Sequence, residues 1–574
     1  MSRRSNNEIP AKKVKPPQRL VVMNPSKGLN NLVSPSLIDN KEWSDMQNME
    51  YDEGGVIRKR AGYIAAGNSL AAARGLGTFS TESSNYMVTI DGTTLKYRTS
   101  GNWSSATGDT FTAGKDTSFT QARLKLFVWN GQDGGAYFDG SAVTRPGTMP
   151  KAKFSVYYQN KHIAAGVDGQ PSRLYISNLT NAADFTVTTG GTQPQPDSTN
   201  DSENGNPNVP GATVFAGTPA LTEANVLDIR KNDGDKITAL GVFQDVLIVF
   251  KERSIFQVTF DSSGNPTVTP VTYATGCVSH KSVVNIENDI SFMSREGHRV
   301  LGNEPQFFTA IRTQVLSIRI QPSMDAINKQ YYSRCNGVYF DNKYILAYPV
   351  GSSAISKTMT YDRRFQAYSL WTNFNAQAMI RYIDSSNNED LYFLDDGGTQ
   401  VYKRVAGTYN DNGAAIEAYV VSKAQDLGNP DITKFWVDLR LIFRRLSGQI
   451  TFTVYQDDGV TVGTAVIGTV SSRGMGLNML GTVILGLDGE DSSSSSTSSF
   501  IDNPQSIGLN LDSRTIKYKI YNNRVDENFV LLGTIYAYYP KSHYVFDSSS
   551  KIYLWDYTRQ IVQSVIQYMK TNAS

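Results

Sequence analysis

The sequence predicts an all-β fold: an irregular β-propeller of about six blades, then a β-sandwich-like domain and a C-terminal helix. Three observations predict it. The 574 residues include 47 Gly, 31 Tyr and 25 Phe, with only 19% charged residues, a balance suited to short pleated strands joined by tight turns. Apolar runs meet at Asp-Gly and related turns again and again between residues 70 and 410, and Asp-Gly between apolar runs is a strong hairpin signal because a type I′ turn needs positive φ at both central residues. Those turns recur at steps of 48 (Gly92 to Gly140), 44 (Arg253 to Gly297) and 45 residues (Gly297 to Asn342), the period of a four-stranded propeller blade.

In chain order, residues 1–27 read as an extended basic arm. Arg3, Arg4, Lys12, Lys13, Lys15 and Arg19 face Glu8 alone within the first twenty residues, with Pro10, Pro16 and Pro17 among them. Such an arm suits nucleic acid, an acidic partner surface or plain solvation. Residues 28–69 form a turn-rich segment leading into the propeller, which spans 70–410. Its turns fall at Asp91-Gly92, Asp139-Gly140, Asp168-Gly169, Lys251 to Arg253, Glu296-Gly297, Asp341-Asn342 and Asp395 to Gly398. The step of 29 residues from Gly140 to Gly169 breaks the period and is read as two hairpins of one blade, so five to seven blades fit, six best. Residues 186–222 are Gly, Pro, Asn, Ser and Thr with little to bury, a loop insertion. From 411 to 547 the apolar segments FWVDLRLIFRRL, TIKYKIYNN and FVLLGTIYAYYP read as a sandwich, interrupted by the serine tract Asp491 to Ser499. Over 548–574, apolar residues at Ile552, Trp555, Val562, Val565, Ile566 and Met569 have the spacing of an amphipathic helix.

Catalytic patterns are missing. His162, His280, His298 and His543 are scattered, without HExxH spacing, so each reads as structural. Cys277 and Cys335 make no metal or disulfide pattern. The acid pairs Asp395-Asp396, Asp457-Asp458 and Asp233/Asp235 all sit beside Gly, where turn formation explains them. No nucleophile elbow or phosphate-cradling loop occurs, and no apolar run is long enough to cross a membrane. The expectation is a protein that is not an enzyme, needs no cofactor and does not insert into a membrane. Net charge is +2, but cations cluster at Arg58, Lys59 and Arg60, and at Arg440, Arg444 and Arg445. With the arm, these are the candidate contacts to DNA or to a partner. The near-neutral total speaks against a module that grips DNA, because many phosphate contacts go with tight, salt-dependent binding.

The segment Gly28 to Tyr63 resembles the N-terminal signature of tail nozzle proteins, the tail tubular or packaged-DNA stabilisation proteins of short-tailed bacteriophages. The matching residues are Gly28, Ser34-Pro35, Leu37-Ile38, Asn48-Met49, Gly54-Gly55, Arg58-Lys59-Arg60 and Gly62-Tyr63, with Ala61 where that signature carries Pro. LIVFKERSIFQVT is similar to a blade motif of such proteins. The resemblance implies a structural virion protein, made in the host cytoplasm and placed in the tail, with copies of itself in a ring of six. That ring would contact adaptor or portal-proximal proteins and tail fibres, pass the DNA at ejection and help retain it beforehand. Two alternatives stay open: a carbohydrate-binding or carbohydrate-cleaving propeller for host attachment, and a neck or minor tail protein of a long-tailed phage.

Overall fold

The computed structural model describes residues 16–188, 223–304, 307–384, 386–457, 459–468, 484–486 and 505–541. Six blades are built from consecutive strands, and a composite sheet closes their ring. Blade one runs Ala73–Ser80, Asn85–Asp91, Thr94–Arg98 and Ser104–Ser105. Blade two runs Ser118–Ala122, Lys125–Trp129, Ala136–Phe138 and Ala142–Thr144, and blade three runs Phe154–Tyr158, Lys161–Ala165, Arg173–Ile176 and Asn225–Asp228. Blades four, five and six start with Ile237–Phe243, Val284–Ile286 and Asn336–Phe340. The closing sheet pairs Ala376–Ile383, Glu389–Asp395 and Val401–Arg404 with Tyr63–Ala65, a strand from the N-terminal segment. Neighbouring sheets meet along their first strands, and Ala376–Ile383 lies against Ala73–Ser80 to complete the circle.

The core is distributed among the seams. Phe79, Val88, Leu126 and Phe138 fill the seam between blades one and two, and Ile163, Leu174, Leu247 and Val249 fill that between three and four. Leu76 and Met87 pack on Tyr382 and Leu394 where the closing sheet meets blade one. Each fully buried Leu, Val or Phe contributes about 1.5–3 kcal/mol, so every seam supplies its own stabilisation. The ring closes at the seam between Ala376–Ile383 and Ala73–Ser80.

All seven turns named from sequence connect strands. The short step from Gly140 to Gly169 is corrected: Gly140 lies between the third and fourth strands of blade two, and Gly169 between the second and third of blade three. The two hairpins belong to different blades. Most of the 186–222 insertion and the helix expected at 548–574 lie outside the described residues.

The boundary placed near residue 410 is crossed by hydrogen-bonded sheet. The edge strand of blade six, Ala367–Trp371, pairs with Asp45–Gln47, which pairs in turn with Ala418–Val421. The sheet then continues through Ile516–Asn522, Gln449–Gln456 and Val460–Gly468. A second sheet places Asn528–Pro540 between Lys434–Ser447 on one side and the N-terminal strands Gln18–Met23 and Ile57–Lys59 on the other. Trp436, Leu439 and Phe443 from this second sheet share one buried cluster with Ile450, Phe452, Tyr518 and Ile520 from the first. That cluster runs on into the seam between blades five and six through Met293, Tyr344 and Tyr368.

Candidate functional site

Two places gather polar chemistry: the N-terminal segment and the mouth of the propeller. The segment carries three of the twelve predicted cations, Arg58, Lys59 and Arg60, and its course explains their environment. Gly28 has φ +82°, and a Cβ there would stand 2.5 Å from the Tyr368 backbone nitrogen, so only glycine passes against blade six. Trp43 is buried and its indole donates to the Pro25 carbonyl at 3.1 Å. Asn48 is a buried junction: its amide donates to Thr372 Oγ1 and the Glu417 carbonyl, while its Oδ1 accepts from the Thr372 amide and from Arg60 Nε. Gly62 lies so close to residue 410 that a Cβ would fall 1.8 Å from the Asn410 carbonyl oxygen.

In the Arg58-Lys59-Arg60 cluster, Lys59 and Arg60 are enclosed, while the Arg58 side chain stays about one third exposed. Arg60 is fully buried and forms a bidentate pair with Asp411, Nη1 to Oδ1 at 2.8 Å and Nη2 to Oδ2 at 2.6 Å. It donates further to the carbonyls of Ala61 and Thr372. Lys59 is also fully buried and donates from Nζ to Asn522 Oδ1 at 2.7 Å and to the Arg524 carbonyl at 2.9 Å. Burial lowers its pKa to about 8. Arg58 pairs with Glu50 at 3.0 Å, and Glu50 also receives Arg404 at 2.6 Å. Burial alone would push the Glu50 carboxyl up, but the charges of Arg404, Arg58 and Lys343 outweigh it and hold the pKa at about 2. The signature thus joins the closing sheet, blade six and the C-terminal sheets from within.

Other predicted cations are placed differently. Arg440 pairs with Asp438 at 2.9 Å, and exposed Arg444 pairs with Asp52 at 3.2 Å. Arg445 lies on the same strand, Lys434–Ser447, with its side chain outside the described residues. Arg19 is exposed on the strand Gln18–Met23. Arg3, Arg4, Lys12, Lys13 and Lys15 lie outside the described residues.

Sequence reading did not find the propeller mouth. Here a cavity of about 430 Å³ opens between blades two to five, among Asp116, Lys153, Asp168, Lys236, His280 and Lys281. Lys281, just before blade five, reaches Asp116, just before blade two, at 3.6 Å. Those blades are not neighbours, so the pair bridges the mouth. The charge of Lys281, ahead of the opposing effect of burial, holds the Asp116 pKa below its ordinary value, with help from Arg334 and Arg74. Asp116, Lys153, Lys236, His280 and Lys281 stand before first strands, and Asp168 lies between the second and third strands of blade three, a placement that requires the blade assignment. Among the described residues, no group of three His, Cys, Asp or Glu is arranged to hold a metal.

The buried histidines are held internally. His162 meets Ser155 Oγ at 2.8 Å and the Ala182 carbonyl at 3.0 Å. His298 meets Ser291 Oγ at 2.5 Å and the Tyr368 hydroxyl at 2.8 Å. Both Ser–His pairs are fully buried and closed to any substrate.

No family model matches the chain, and no curated protein does. Solved structures similar to it include YCF48 bound to a D1 peptide, at 8% identity and TM-score 0.35, covering 63% of this chain and 98% of that one. BBS1N in complex with ARL6DN aligns at 10% identity and TM-score 0.33, covering 60% and 98%. BamB from Moraxella catarrhalis aligns at 11% identity and TM-score 0.31, covering 59% and 97%.

Proposed function

We propose that this chain is a structural subunit of the tail nozzle of a short-tailed phage. Copies of it, six by the resemblance, frame the DNA ejection channel and help retain packaged DNA. The observation that carries the reading is the role of the signature residues: Gly28, Asn48, Lys59, Arg60 and Gly62, on which the resemblance rests, are the internal ties that join the propeller to the C-terminal sheets. Residues that tie sheets together in this way suit a rigid wall element. The Lys281–Asp116 pair across the propeller mouth supports a path through a hole between copies rather than along a propeller axis. A head-to-tail interface between identical copies closes into such a ring, and adaptor or portal-proximal proteins and tail fibres are its neighbours.

The proposal makes the purified chain inert as a hydrolase and a poor DNA binder, since Lys59 and Arg60 of its central cation cluster are enclosed. The test is quantitative mass spectrometry of purified particles. The reading requires the chain in virions at a fixed small copy number matching the other tail rings, and absence from virions would refute it.

A further inference from the structure

We infer that the outer face of the sheet formed by Gln18–Met23, Asn528–Pro540 and Lys434–Ser447 is the docking site of the chain's own C-terminal segment, residues 548–574. The inference is independent of the ring-subunit reading. Strand register fixes which side chains stand on that face. Val21 lies opposite Ile535, which lies opposite Arg440, and Met23 lies opposite Gly533, which lies opposite Ile442. Directly opposed residues share a face, and successive residues along a strand take opposite faces. Leu20, Val22, Tyr536, Leu439 and Leu441 alternate with these, and they belong to or pack on the buried cluster of the other face. Val21 and Met23 are 54% and 41% exposed, Ile442 and Ile535 are half-buried, and none of the four joins that cluster. A sheet with one solvated face ordinarily turns polar residues outward, so this apolar row marks an interaction surface.

The chain supplies an occupant of fitting length. Pro540 ends the central strand of this face, and Lys541 is held at its rim, donating from its amide to the Thr433 carbonyl at 3.0 Å and from Nζ to Asp512 at 2.7 Å. Ile552 stands 11 residues further on, a tether that reaches about 36–40 Å when extended. From Pro540 back to Gly533 the strand runs only about 24 Å, so the tether can return the segment to any point of the face. The segment lies outside the described residues, but Ile552, Trp555, Val562, Val565, Ile566 and Met569 have helical spacing. A helix over Ile552 to Met569 would be about 27 Å long, close to the length of the strands it would cover. A short tether holds its segment at an effective concentration on the order of millimolar, which favours the chain's own face over that of another copy. Gln18–Met23 also pairs with Asn528–Pro540 alone among the described strands, so the docked segment would shield an open sheet edge that otherwise invites association.

The experiment is amide hydrogen exchange of the full chain, read by mass spectrometry, beside a synthetic peptide of residues 548–574. Amides from 552 to 569 should exchange about tenfold or more slowly in the full chain than in the peptide, and equally so over a hundredfold dilution of the protein. Val21→Asp and Met23→Asp change exposed side chains of the face, and Trp555→Asp changes the segment, which leaves the body intact. Each should return the segment's amides toward the peptide rate, while the blade strands exchange as in the parent chain. Segment amides as fast as the free peptide's, or protection unchanged in both face variants, would overturn the assignment. Protection lost on dilution would also overturn it, because the segment would then be held by a second copy.

Discussion

Replacing Arg60 by Met should destabilise the whole chain, because this side chain ties three parts of it together. The guanidinium is fully buried, paired bidentately with Asp411 and bonded to Asn48, Ala61 and Thr372. Removing one partner of a buried pair leaves the other charge uncompensated and costs about 3–5 kcal/mol, a large share of the roughly 5–15 kcal/mol that holds a typical domain together. Asp411→Asn should cost a similar amount. The double variant Arg60→Met/Asp411→Leu should cost less than the sum of the singles by roughly 1–3 kcal/mol, since neither charge is then left alone. Urea unfolding followed by tryptophan fluorescence is the assay, with Trp371, whose ring lies 5.8 Å from the guanidinium, as a local reporter. Single losses below about 1 kcal/mol, or strictly additive losses, would refute the reasoning.

Three further outcomes follow from the same geometry. Glu50 is held at a pKa of about 2 against an ordinary 4.5; a depressed carboxylate contributes stability above its unfolded pKa and loses it as pH falls toward the folded value. Stability should therefore drop between about pH 4.5 and 2, by on the order of 3 kcal/mol from this group, and Glu50→Gln should remove that drop from a pH series of urea midpoints. Burial lowers His162 and His280 to about 4 and His298 to about 3. Their neutral forms favour the fold above about pH 6.5, and that contribution fades on acidification, with a combined slope approaching about 4 kcal/mol per pH unit near pH 5; His162→Gln should cut the measured slope by about a third. Gly62→Val should prevent the Tyr63–Ala65 strand from docking, since even a Cβ there meets the Asn410 carbonyl, and limited proteolysis should then cut the N-terminal segment where the parent chain resists.

The sequence made the blades legible through their turns, and what it hid has a physical cause. Asp-Gly turns were visible because glycine marks positive φ. The Asp-Gly turns place only the glycine there, as at Gly92, Gly140 and Gly169, whereas other hairpin turns carry positive φ at two successive residues without glycine: Arg123-Leu124, Gln159-Asn160 and Gln244-Asp245. These join the first two strands of blades two, three and four, and none carries the Asn-Gly or Asp-Gly pair that marks a hairpin. The closing sheet was hidden because its outer strand comes from residues 63–65, more than three hundred positions from its partners at 402–404, and no local period records such a pairing. The cations of Arg58-Lys59-Arg60 read as surface because charged residues are usually exposed. Their partners, Asp411 and Asn522, are remote in sequence, so the enclosure emerges only from the tertiary fold. The structural reading of the lone histidines needed no such context, and His162 and His298 are internally bonded.

The measurement that bears most directly on the central claim is a reconstruction of the tail of the intact particle by electron cryomicroscopy. The account predicts that the body described here docks as a closed ring of identical copies. The DNA channel should lie on the ring's axis, with each propeller axis displaced from it. A tail with no density for this body, or DNA running through a single propeller, would contradict it.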